Sequence, residues 1–282
     1  MDRRFTSLGR PIDLNLKTNS MILYLTAGAF ILAAFFYVFV ENVNILKAVS
    51  NSLTFAIGFF LSWAVGREVD PDHDASAFIA LPAYAAYWYF SGKADIIELF
   101  FMLMVIRMVN RTTGLKPTVL DSVLILVLGI LLSYFNNWLI SVMLTTAFFI
   151  DARLHDGKPS HRFYGALFLF FILFAYLFNS SGYVKLQIHD TLFITTLIIT
   201  LMYALTVLTT VNLKSMADNY SGKILSARVR SAQIILGFYA LASFMWYGGS
   251  SFADLSAVWA AMTGAGLNTL WRLLSPGNRL KD

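Results

Sequence analysis

The chain contains no cysteine in 282 residues, which excludes disulfides and thiolate-held metals. Charge is scarce as well. Asp, Glu, Lys and Arg make up 13% of the residues, against about 25% in soluble domains. Histidine occurs four times, and no His pair shares a helix face beside a glutamate, which argues against zinc. No P-loop, dinucleotide fingerprint or serine nucleophile elbow is present. Nor is there an internal repeat at half-length, a low-complexity tract or a linker. What abounds is apolar surface, at 58% of residues. A soluble globule of this size needs a charged exterior that this composition does not supply. The expected class is therefore an all-α polytopic integral membrane protein.

Near-unbroken apolar runs at 21–40, 163–178, 191–208 and 231–249 approach the ~20 residues a helix needs to cross hydrocarbon. Weaker runs lie at 51–66, 77–90, 97–110, 119–135 and 138–153, and a last one at 252–274. This predicts about ten transmembrane helices. Eight plus a re-entrant hairpin over 77–110 is the alternative. The last run carries Ala253, Ala257, Ala261 and Ala265 at four-residue spacing, flanked by Ser256, Ala260 and Gly264, a face suited to close helix packing. The expected division is a segment 1–20, one helical domain over 21–274, and a tail 275–282. The mostly polar residues ahead of the first run do not read as a signal peptide.

The net charge of +5 is arranged along the loops. Assigned alternately to two faces, the loops give one face Arg3, Arg4, Arg10, Lys17, Arg67, Arg111, Lys116, Arg153, Lys158, Arg162, Lys214, Lys223, Arg228, Arg230, Arg272, Arg279 and Lys281. The other receives Lys47, Lys93 and Lys185, and Arg107 lies one turn inside a span. The positive-inside rule makes the basic face cytoplasmic and puts both termini there, in what is expected to be a prokaryotic plasma (inner) membrane. Because the cations follow the loops, anionic lipid headgroups account for them and nucleic acid is not an expected partner. Tyr87 to Phe90, Trp138, Trp246 and Tyr247 fall at outer span ends, as interfacial belt residues do.

The chemistry concentrates on the cytoplasmic side. Glu68, Asp70, Asp72 and Asp74 alternate, so an extended backbone would aim all four the same way, and Pro71 discourages helix at Asp70. Oxygen ligands at that spacing suit Mg²⁺, although they match neither an aspartate-rich prenyltransferase motif nor an EF-hand loop. A solvated Asp-Pro turn with a helix cap is the plainer reading. In the next turn, Arg107, Asn110, Arg111 and Gly114 share one helix face. With Lys116 and Arg153 they make a candidate phosphate clamp, since guanidinium forks match phosphate oxygens. Arg107, at membrane depth, demands a partner, and a structural ion pair would serve equally. Asp121, Asp151 and His73 are the candidates for proton transfer, with His155 and His161 nearby; His189 is external and incidental.

Three functions follow as expectations. The first is an enzyme on a lipid-linked phosphate or prenyl diphosphate, with Mg²⁺, at the cytoplasmic face. The second is a secondary transporter of the ten-helix type, whose span count is similar to that of drug/metabolite transporters. The third is a non-catalytic membrane assembly partner. The first two require the acidic and basic loops, or a midplane site, to form a real cavity.

Overall fold

Helix boundaries in the computed structural model follow local signals. The structure describes residues 6–10, 12–178, 190–218 and 222–275. Of the residues considered above, Arg3, Arg4, Lys185, His189, Arg279 and Lys281 lie outside them. The described residues form eleven helices and no strand: α1 Lys17–Phe39, α2 Ile45–Val69, α3 Asp74–Ser91, α4 Ile96–Asn110, α5 Val119–Phe135, α6 Leu139–Arg153, α7 His161–Phe178, α8 Asp190–Thr209, α9 Ser226–Tyr247, α10 Gly249–Asp254 and α11 Ser256–Leu274.

Asp95 caps α4, its Oδ1 accepting from the backbone amides of Ile97 and Glu98 at 3.0 Å each. Thr118 and Asp121 form a reciprocal capping box that opens α5. The α4 C-terminus closes on Arg111, whose φ of 54° is left-handed, a conformation that costs a residue with a Cβ and needs surrounding contacts to hold it.

Among the described residues, three helices are long and apolar enough to cross a membrane: Lys17–Phe39, Ile45–Val69 and the stretch Thr191–Thr209. Val119–Phe135 is apolar but shorter, and the stretch His161–Ile172 of α7 is apolar as well. The central α4 has 15 residues and spans only about 22 Å at ~1.5 Å per residue. α9 is long enough at 22 residues, but its first turns carry Arg228, Arg230 and Gln233.

α3 and α4 do not form a self-packed hairpin. α3 lies against α2 and α11, whereas α4 lies against α9, α2 and α6. The small-residue face of α11 packs as its spacing predicts. Gly264 sits so close to α3 that a Cβ there would come within 2.2 Å of the Ser76 carbonyl oxygen. Above it, Trp259 stacks on Phe252 at 5.5 Å and meets Phe244 edge-on. Tyr89 and Phe90 are exposed as belt residues are, while Trp88 turns inward and donates to the Tyr37 hydroxyl.

Candidate functional site

The helix ends on the basic side of the bundle meet around the turn Arg111–Gly114, which joins three buried carboxylates.

The first is Glu68, 1% exposed at the end of α2. Arg107 Nε donates to its Oε1 at 2.7 Å, while Asn110 Nδ2 and Thr112 Oγ1 donate to its Oε2 at 2.9 and 2.5 Å. Arg10 approaches Oε1 at 3.8 Å and pairs with Asp218 at 2.6 Å. Burial pushes the Asp218 carboxyl up, and Arg10 opposes that shift.

The second is Asp151, fully buried at the end of α6. Arg111 Nη2 and Arg228 Nη1 both donate to its Oδ1, at 2.8 and 2.9 Å, and His161 Nδ1 lies 2.7 Å from Oδ2. The guanidiniums also satisfy backbone carbonyls: Arg111 that of Asp156, and Arg228 those of Val109 and His155. Two guanidiniums thus face one carboxylate, and Arg111 Nε has no hydrogen-bond partner among the described residues.

The third is Asp121. The segment 6–10 crosses the helix ends as a strap and spends its polar groups here. Thr6 Oγ1 donates to Oδ1, and the Ser7 amide and hydroxyl donate to Oδ2 at 2.9 and 2.7 Å. Thr113 Oγ1 donates to the Ser7 carbonyl and Arg107 to that of Leu8, which fixes the strap to the hub. Lys158, whose ammonium is pushed down by burial, donates to the Pro117 carbonyl at 3.1 Å.

The basic and acidic loops therefore meet: Arg107 finds the partner its depth demands in Glu68, and Arg111 lies on Asp151. The common face expected of Glu68, Asp70, Asp72 and Asp74 does not form, because α2 runs on through Val69 and α3 begins at Asp74. Glu68 and Asp74 are helical, so the two-residue alternation has no extended backbone to act on. Each carboxylate has its own partners. Asp70 accepts from Ser76 Oγ and from His73 Nδ1 at 2.8 Å. Asp72 accepts from the amides of Lys214 and Ser215, both at 2.8 Å. Those bonds hold its carboxyl below the usual range although burial works the other way. Asp74 pairs with Arg67. Among the described residues, no three Asp, Glu or His side chains gather as metal ligands.

The proton-transfer candidates are committed too. His73 donates from Nδ1 to Asp70 and accepts at Nε2 from Arg272 Nη1 at 2.8 Å, so neither ring nitrogen is free. Asp121 and Asp151 are saturated as described. Of the phosphate candidates, Arg107 and Asn110 serve Glu68 and Arg111 serves Asp151. Lys116 and Arg153 stay exposed at the surface.

Sequence reasoning missed Thr6, Ser7, Arg228 and Arg272. Nothing marks the strap in the sequence. Arg228 carries a signal, as a cation three residues ahead of a strong apolar run. No protein-family model, curated protein or solved structure matches this chain.

Proposed function

We propose that the chain is a ten-span membrane protein with both termini cytoplasmic, which binds a phosphate-bearing lipid at that face. The observation that supports this reading most is the pairing of Arg111 and Arg228 on the single carboxylate of Asp151. Guanidinium outnumbers carboxylate there, one guanidinium N–H is unused, and Arg is the side chain best matched to phosphate oxygens. Exposed Lys116, Arg153 and Arg162 surround the same loops and would draw an anionic headgroup from the leaflet. Recognition rather than turnover is the reading favoured, because Asp121, Asp151 and His73 already spend their donors and acceptors within the chain. The binding needs no metal, since the carboxylates are neutralised by the chain's own cations.

A binding titration in lipid nanodiscs tests this. The protein in phosphatidylcholine discs should bind added phosphatidic acid or a polyprenyl phosphate, read by native mass spectrometry. The surface variant Lys116→Gln/Arg153→Gln should weaken that binding without lowering the melting temperature. Equal retention of phosphate-bearing and neutral lipids by the native protein would overturn the proposal.

The transporter reading draws support from one observation: α4 and α9 are bonded to each other near both ends, the arrangement needed to couple two gates.

A further inference from the structure

At the outer end of the bundle lies a buried acid with no cation beside it. Glu98, in the first turn of α4, is 4% exposed. Among the described residues its one hydrogen-bond donor is the Tyr239 hydroxyl on α9. Tyr239 is itself 1% exposed and accepts from Asn137 Nδ2 at 3.1 Å, and Asn137 also donates to Ser243 Oγ at 3.0 Å. The ionisable groups that face Glu98 are all acids: Asp95 at the α4 N-cap, Asp254 at the end of α10, and Tyr239 and Tyr247 on α9. Among the described residues no lysine, arginine or histidine pairs with it. The nearby Lys93 is turned to Asn51 at 2.5 Å. Burial and the neighbouring Asp95 push the Asp254 carboxyl up to about 6, so this corner disfavours negative charge generally.

A carboxylate removed from water, with one neutral donor and two further acids for company, is more costly than the neutral acid. We propose that Glu98 is a proton-binding site, occupied at neutral pH in the folded protein and emptied to the outer side as the pH rises. The step is a simple proton transfer. The carboxyl O–H bond breaks, the proton passes to water on the outer side, and the carboxylate remains facing Tyr239. At their inner ends the same two helices are joined by Arg228 donating to the Val109 carbonyl, and by Arg111 and Arg228 sharing Asp151. Proton release at one end therefore acts on the helix pair that carries the cationic cluster at the other. This inference does not depend on lipid binding.

Infrared difference spectroscopy of the full-length protein in nanodiscs tests it. At pH 7 the native spectrum should contain a protonated-carboxyl C=O band that is missing from Glu98→Gln, and the band should fade as pH is raised. Tyr239→Phe removes the donor that favours the carboxylate, so it should move the fading to higher pH. Glu98→Gln keeps a neutral group of the same shape and should melt at least as high as the native protein at pH 7. A native spectrum without that band at pH 7 would overturn the proposal. So would a band that titrates identically in native and Tyr239→Phe protein, or a Glu98→Gln variant that unfolds at pH 7.

Discussion

Asp151 Oδ1 accepts from Arg111 and Arg228 at once, at 2.8 and 2.9 Å, although Arg228 lies 77 positions away in the chain. The oxygen fastens α6 to α9 and to the turn after α4. Removing one partner of a buried ion pair typically costs ~3–5 kcal/mol, because the remaining charge is stranded. Asp151→Ala strands two guanidiniums and should sit at the upper end of that range, with Arg228→Ala somewhat milder. Thermal melts in detergent would check this. A loss of under ~1 kcal/mol for Asp151→Ala would mean water reaches the cluster.

The strap should contribute stability through Asp121. Thr6→Ala/Ser7→Ala removes two hydroxyl donors from a buried carboxylate, and each lost donor costs on the order of 1–3 kcal/mol. The variant should melt lower, and hydrogen exchange should rise at residues 6–10 before it rises in α4. Unchanged exchange there would show that the backbone bonds from Thr113 and Arg107 suffice.

Mg²⁺ at millimolar concentration should leave the melting temperature unchanged, since only an ion bound by the folded state stabilises by mass action. Asp70→Asn should lower stability in the presence or absence of the ion, because Asp70 accepts from Ser76 and His73. A Mg²⁺-dependent rise abolished by Asp70→Asn/Asp72→Asn would restore the metal site.

These outcomes separate what the sequence discloses from what it hides. The helical class, most helix ends and the need of Arg107 for a partner are legible, because hydrophobic runs, caps and the cost of a charge at depth are local or one-dimensional signals. The common face expected of the four carboxylates is lost at a single boundary: α2 extends three residues past its apolar run, to Val69, and carries Glu68 out of phase with Asp70. The apolar run at 97–110 hides Glu98, because one acid barely alters the hydropathy of a span. The strap is illegible because Asp121 and Thr113, which hold Thr6 and Ser7, lie more than a hundred positions away.

Acid should loosen one loop first. Asp72 titrates below the ordinary aspartate value of 3.8 in the folded chain, so its contribution is complete above that value and is lost as pH falls through the lowered folded value. Amide exchange at Lys214 and Ser215 should therefore accelerate below about pH 4, where unfolded aspartates begin to protonate. Asp72→Asn should remove the acid dependence. Exchange at those amides that stays flat down to pH 2 would contradict the assignment.

The strap also sets a timetable for biosynthesis. Thr6 leaves the ribosome 115 residues before Asp121, and Arg10 leaves 208 before Asp218. At ~5–20 residues per second, the first of these waits lasts roughly 6–23 s. During that wait residues 6–10 have no place to dock until α4 and α5 present their ends. Residues 6–10 are thus made well before the partners they bind. The final closure of the bundle is a step that the ribosome, and not only the membrane, times.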